Sequence, residues 1–435
     1  MQKFLLTASL GLIALTASAQ HVGASPYSRY GLGTLLDRSA SLNRGLAGTG
    51  IALSSGRMLN PHNAASYARI DSLSFLFDAS VSLESAHYST SGASFQQQNA
   101  RFDHLGLGFR LAPGLGISMG VSPFSTVGYD IKSEGKAIGG GISGKVKPTT
   151  NYLGRGGLQE VYLGMGYSPF RPLSIGASAS YLWGNISNMT ATSYDDKDVK
   201  TLTRNYKTEI RSYKFDLGLQ YTQQLGRKNR LTLGLTYGLG RDLNGDALLI
   251  DQSGKGAATA DTLTARSPYQ LPESWGAGLA WEWNGRLTLA ADFQHEAWSK
   301  ATAPLLTMQQ GKQQYMAQTG LYTDRQRYNL GLEYLPNPRG TSFASHVRYR
   351  AGLSYATPYA KIDGAAGPRV YTATLGVALP IVTAHNRRDN YSYLNISAQY
   401  DHVAPQISGQ LTERYLRLTL GISFNQRWFQ KWKVD

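Results

Sequence analysis

Ten ionisable residues stand at alternate positions of otherwise apolar stretches: Arg110, Glu160, Lys214, Asp216, Glu282, Asp292, Glu296, Glu333, Arg348 and Arg350. If the apolar residues beside them face hydrocarbon, these ten must face an interior, because Arg or Lys at a bilayer midplane costs about 2–4 kcal/mol. Inside, opposite charges pair and brace whatever fills the space. A basic member such as Lys214, Arg348 or Arg350 can instead take a ligand carboxylate. The eight histidines (His62, His87, His104, His295 and His346 among them) have no metal-ligand spacing. The chain holds no cysteine, no Gly-x-Ser-x-Gly, no phosphate loop and no dinucleotide fingerprint. The sequence therefore predicts no enzyme, no cofactor and no metal.

The elements that must hold those charges have a period of two. From Leu73 the odd positions read Leu73, Phe75, Phe77, Ala79, Val81, Leu83, against Ser74, Leu76, Asp78, Ser80, Ser82 and Glu84. Leu173 to Trp183, Leu231 to Leu239 and Leu416 to Phe424 repeat the alternation. Side chains of a strand alternate faces, so one face meets lipid and the other a polar lumen. A helix would place the apolar residues three and four apart. The pattern predicts fourteen strands near 73–84, 102–111, 115–126, 158–168, 173–185, 209–224, 230–241, 272–283, 286–298, 325–335, 345–357, 369–382, 390–402 and 412–424. The expected fold is an all-β, 14-stranded antiparallel transmembrane β-barrel. A soluble sandwich would want polar outer faces instead of stripes of Leu, Tyr and Trp.

Composition agrees. There are 48 glycines and 27 tyrosines with only 16% charged residues, as expected where small lumen residues alternate with a lipid face bounded by aromatic belts. The formal charge of +15 is spread over many segments, with no basic helix and no recognition motif, which argues against nucleic acid and for loops facing anionic lipid and lipopolysaccharide. At the N-terminus, Lys3, the apolar run Phe4 to Thr16 and Ala17-Ser18-Ala19 fit a cleaved signal peptide over residues 1–19.

The connections alternate between short ones, such as Ala112-Pro113-Gly114, Pro169 to Pro172 and Asn284-Gly285, and mostly longer ones. Barrels of bacterial outer membranes put short turns in the periplasm and long loops outside. An even strand count then places both termini in the periplasm. A fourteen-stranded barrel leaves an open lumen unless something fills it. Residues 20–70, with Leu32, Leu35, Leu36, Leu42, Leu46 and Ile51, are expected to fold inward as a plug, with the barrel over 71–424 and a periplasmic tail over 425–435. Proline removes a ladder donor, so Pro123, followed by Phe124, should open the wall in the third strand or end its membrane-spanning part.

Several local motifs add to this plan. Asn43 to Ala52 followed by Asn60-Pro61 resembles the hatch and Asn-Pro-Ala motif of the FadL-type outer-membrane transporters. Leu271-Pro272-Glu273-Ser274-Trp275, then Asp292 and Trp298-Ser299, is similar to that family's Leu-Pro-x-x-Trp and Asp…Trp-Ser segments, and Ser122-Pro123-Phe124 lies at its third-strand kink. The chain departs at one residue in either register: His62 follows Asn60-Pro61, and Asn63-Ala64 lacks the proline. The resemblance implies a hatch at Asn60, Pro61, Asn63 and Ala64, and a lateral gate at Pro123 and Phe124. It also implies a hydrophobic ligand of the long-chain fatty-acid kind, whose carboxylate Lys214, Arg348 or Arg350 could meet. Related barrels also serve secreted proteins as shuttles or attachment factors, and both that role and a structural one remain open. The last strand, Tyr415–Phe424, is of the kind the barrel-assembly machinery recognises during biogenesis.

Overall fold

The structure is a computed structural model that describes residues 25–427 apart from 91, 137, 142–143, 197–198, 254–259 and 382–390. The expected signal peptide lies outside the described residues, as does the tail beyond Arg427.

Alternating sequence becomes alternating exposure. The fourteen strands are β1 (Ser74–Ser89), β2 (Ser94–Ala112), β3 (Leu115–Glu134), β4 (Pro148–Phe170), β5 (Leu173–Tyr194), β6 (Leu202–Leu225) and β7 (Asn229–Gly238), then β8 (Ser274–Trp283), β9 (Leu287–Glu296), β10 (Arg325–Tyr334), β11 (Arg348–Ala356), β12 (Arg369–Ile381), β13 (Ser392–Ala404) and β14 (Thr412–Arg427). Each pairs antiparallel with the next. β14 closes the cylinder on β1, from Ser74↔Arg427 to Ser89↔Thr412. No sheet edge is left at the seam, the condition for crossing hydrocarbon with strands. No described helix is long and apolar enough to cross a membrane.

The outward face carries exposed Leu233, Leu235, Leu279, Leu330, Leu353, Leu375 and Leu416. Tyr213, Tyr237, Trp275, Tyr328, Tyr371 and Tyr400 border this band toward the long loops. Tyr167, Tyr221, Trp283, Tyr334 and Tyr349 border it toward the short turns. These are two interfacial girdles. The turn at Asn284-Gly285 has φ of 54° and 66°. Two left-handed central residues are what a type I′ turn requires, and the Arg286 amide closes it on the Trp283 carbonyl at 2.9 Å.

Strand heights differ around the barrel. β7 to β11 run 9–10 residues, whereas β3 to β6 run 20–24. About 9–11 residues suffice to span a bilayer, so β3–β6 project beyond it at the long-loop end. The hairpin Ala247–Ser253/Ala260–Ala265 extends the projecting sheet by pairing with β6. The inward residues Val127, Tyr129, Leu158, Leu182, Ile186 and Leu249 bury one apolar cluster with Trp298, Tyr315 and Tyr322, roofing that end of the lumen.

Here the sequence reading needs correction. Residues 127–157 and 186–208, expected to be loops, are largely strand, and 303–318 forms a hairpin of its own. Beyond the bilayer the outward face is polar, as at Lys207, Glu209 and Arg211, so the two-residue contrast that marks a membrane strand fades.

Candidate functional site

The N-terminal segment runs the height of the lumen. Ser25 lies at the long-loop end, where its amide donates to the Gly128 carbonyl (2.8 Å) and its hydroxyl to Glu413 (2.8 Å). Tyr27 donates to the Leu411 carbonyl at 2.5 Å. The chain then descends to Ile70, buried near the opposite end, and enters β1 at Ser74. Both termini were expected on the short-turn side. Ser25 sits at the end opposite Arg427, and the expected mature N-terminus at residues 20–24, like the tail beyond Arg427, lies outside the described residues.

What lets backbone fit inside is a belt of lumen glycines. A Cβ on Gly116 would overlap the Tyr67 carbonyl oxygen, on Gly166 that of Ala64, and on Gly234 that of Ile51. On Gly352 it would meet Leu46 and Ala47, and on Gly421 Ser41. Side chains finish the attachment. Asp292 accepts from the amides of Gly50 (2.6 Å) and Ile51 (2.9 Å) with one carboxylate oxygen. Asp78 accepts from the Ser41 amide and hydroxyl, both at 3.0 Å.

The residues expected to form a hatch divide the work of holding the plug between them. Asn60 donates to the carbonyls of Gly50 and Leu53 (2.7 Å each) and accepts from Asn43 (3.1 Å), holding the plug to itself. Asn63 donates to Ile51 (2.9 Å), and reaches Leu219 on β6 (3.2 Å) and Leu235 on β7 (3.3 Å), holding the plug to the wall. It also caps the short turn Ala64–Arg69 through the Ala65 amide. Pro61 and Ala64 are buried as well. The two registers that compete in the sequence are thus both occupied by an asparagine with a distinct job.

The predicted basic trio does not converge. Lys214 pairs with Asp216 at 2.6 Å and lines a cavity of about 190 Å³ with Arg38, His62 and Glu160. Arg348 and Arg350 both hold Glu333, at 2.5 and 2.7 Å, and Arg350 also meets Met58 of the plug (3.4 Å to Sδ). A second cavity of about 260 Å³ is apolar at Tyr30, Leu35, Tyr359 and Val403. Its charged end is closed by ion pairs: Asp37 with Arg327, Asp103 with Arg44 (3.3 Å) and Arg101 (3.2 Å), and Arg417 with Glu84 (2.5 Å) and Asp401 (3.3 Å).

The wall parts beside this cavity. β2 and β3 pair from Ala112↔Leu115 only as far as Leu105↔Val121. Beyond, β2 continues on β1 alone, with a register shift that leaves Asp103 opposite no residue in the ladder, and β3 continues on β4 with a bulge at Phe124 between Pro123↔Gln159 and Ser125↔Leu158. A cleft of about 1030 Å³ lies there, lined by Phe95, Phe102, Pro123, Leu153 and Trp183. Behind it the plug supplies the missing neighbour: Thr34 and Leu35 pair with Thr126 and Ser125, and the Leu36 amide donates to the Phe124 carbonyl at 2.9 Å.

A family model described as BamG matches residues 1–435. The chain belongs to the BamG family. Among solved structures, a monoaromatic hydrocarbon channel, CymD, is similar at a TM-score of 0.58 and 14% identity, covering 92% of this chain and 100% of that one. A Pseudomonas aeruginosa FadL homologue gives 0.59 and 13% over 90% and 99%. The Ralstonia pickettii toluene transporter TbuX gives 0.55 and 15% over 88% and 97%. At these identities the likeness is one of fold, and it is the FadL-type fold that the motifs suggested. No curated protein matches the sequence.

In this BamG-family barrel, sequence reasoning missed the glycine belt, the Asp78 and Asp292 anchors and the strand added by Thr34–Leu35. A usable signal existed for the first: the glycines fall on lumen parity strand after strand. Within the plug, burial and the cations Arg327, Arg38 and Arg44 push His62 down to about 3 against the pull of Asp37. Burial alone would raise Asp37, but Arg327 beside it prevails and holds its carboxyl below the usual range. A histidine that is neutral when docked and titrates near 6.5 when free contributes stability above that pH and loses it as pH falls toward about 3. The plug should accordingly become protease-sensitive over that window, and His62→Gln should flatten the upper part of the profile.

Proposed function

We propose that the barrel passes hydrophobic small molecules of the fatty-acid class through the outer membrane, with lateral exit at the parting between β2 and β3. The observation that carries this reading is the parting itself. It adjoins an apolar-to-charged cavity and the buried apolar cluster under the roof, while the lumen below is filled by the plug. Pro123 and Phe124 form the gate in this reading, and Asn60, Pro61, Asn63 and Ala64 the hatch. Lys214, which lines a cavity, is the candidate for a ligand carboxylate, while Arg350, held with Arg348 on Glu333, braces the plug at Met58. The short turns face the periplasm and the projecting strands the lipopolysaccharide side. An apolar ligand leaving sideways gains by entering hydrocarbon instead of water.

A second reading is favoured by the family match and the sealed lumen: a barrel that works beside the barrel-assembly machinery, as the name BamG suggests. Liposomes carrying the protein separate the two. The first reading expects labelled oleate to enter faster than into protein-free vesicles, while small sugars stay out. Deleting residues 20–60 should admit the sugars and abolish selectivity. Oleate entry no faster than without protein, together with co-purification of assembly factors from cells, would favour the second.

A further inference from the structure

The charges of the short-turn end are distributed unlike those of the rest of the molecule. Among the described residues it presents Arg57, Arg69, Arg110, Arg171, Arg227, Lys228, Arg230, Arg286 and Arg339, against the carboxylates Asp71 and Glu282. Asp71 is taken by Arg57 and Glu282 by Arg230. The long-loop end carries both signs interspersed: Lys147 with Glu134, Arg204 with Asp251 and Arg211 with Glu209.

The cations recur in register with the band edge. Each of four consecutive turns sets an exposed apolar residue at the rim beside cations: Leu111 with Arg110, Phe170 with Arg171, Leu225 with Arg227 and Lys228, Trp283 with Arg286. Backbone hydrogen bonds lace the turns into one arc. The Ser168 amide donates to Gly114 (2.8 Å), Thr222 to Pro172 (2.7 Å), Asn284 to Lys228 (2.5 Å) and Leu335 to Arg286 (2.7 Å). The plug joins the arc through Arg69, whose guanidinium donates to the Arg171 carbonyl at 2.6 Å.

We infer that this arc is a binding collar for anionic glycerophospholipid headgroups, resting on the assignment of the short turns to the phospholipid leaflet. An apolar side chain at the edge of the hydrocarbon fixes acyl chains, and a cation within three residues of it reaches the phosphate. A fixed spacing of several such pairs along a stiffened rim suits a leaflet of repeated phosphates. A protein partner would need a matching acidic face without the apolar rim.

The test uses the full chain in neutral detergent, with lipid retention read by native mass spectrometry against phosphatidylglycerol, phosphatidylcholine and lipopolysaccharide. Wild type should retain phosphatidylglycerol in preference to both others. Arg171→Gln/Arg227→Gln/Lys228→Gln/Arg286→Gln should lose that preference, by about fivefold for each cation removed. The doubles Arg171→Gln/Arg286→Gln and Arg227→Gln/Lys228→Gln should lose proportionate parts and keep the test readable should the quadruple variant assemble poorly. Lys132→Gln/Lys200→Gln/Lys312→Gln/Lys361→Gln, at the other end, should behave as wild type. Equal retention of phosphatidylglycerol and phosphatidylcholine, a preference for lipopolysaccharide, or an unchanged preference in the collar variants would overturn the inference. None of these outcomes depends on oleate uptake, so collar and transport can fail separately.

Discussion

Gly116→Leu is expected to drive the plug off the wall. A Cβ at that position overlaps the Tyr67 carbonyl oxygen, and the turn Ala64–Arg69 that carries it also rests on Gly166 and Gly176. Overpacking a filled interior costs about 1–3 kcal/mol, and here the listening partner is backbone, which cannot swing aside. At about 3 kcal/mol the ratio of docked to undocked plug shifts about a hundredfold. In planar bilayers the variant should pass a steady ionic current where the wild type is closed, and residues 37–70 should become open to protease. Gly92→Leu, with nothing within 4 Å of the added Cβ, should leave both readouts unchanged.

The second large effect is expected at Asp292. Its carboxylate faces the lumen from β9, 4% exposed, and takes the amides of Gly50 and Ile51 together. Hydrogen bonds to a charged group contribute about 1.5–3 kcal/mol each. Asp292→Ala leaves both amides without that acceptor in a space shaped by Gly234 and Gly278, where water has little room. Their exchange with solvent deuterium should change from slow to fast, while the amides of β8 and β9 stay protected. Asp292→Asn, which keeps an acceptor oxygen, should fall between. Fast exchange throughout the barrel in Asp292→Ala would instead mean that the residue supports the wall and not the hatch.

Legibility in the sequence followed physical contrast. Where one face meets lipid and the other a polar lumen, the alternation is strong, and the segments from Leu73 and from Leu173 give the starts of their strands to within a residue. β4 was read from 158 but begins at Pro148, because that stretch lies beyond the bilayer and neither face there is obliged to be apolar. The plug was inferred from a volume argument and from buried leucines. Its attachments were not visible, since Asp78 and Asp292 look like any lumen carboxylate until Ser41 and Gly50 are brought beside them. Lys214, Arg348 and Arg350 share a parity, which places them in the lumen but cannot say at what height. Lys214 sits on Asp216, apart from Arg348 and Arg350, which share Glu333. Pro123 was legible because a missing amide is a property of the residue itself. That Thr34 and Leu35 stand behind it was not, because two residues of strand carry no period.

In the proposed function the parting at Pro123 and Phe124 is the route by which a hydrophobic molecule leaves the barrel. Pro123→Val with Phe124 deleted restores the amide donor and removes the extra residue, so that β3 can continue straight past Ser122. Uptake of labelled oleate into liposomes carrying this variant tests the claim most directly, with plug protection from protease measured alongside to show that the barrel is assembled. The account predicts that uptake falls to the level of protein-free vesicles while the plug stays protected. Uptake at the wild-type rate with the wall sealed would contradict it.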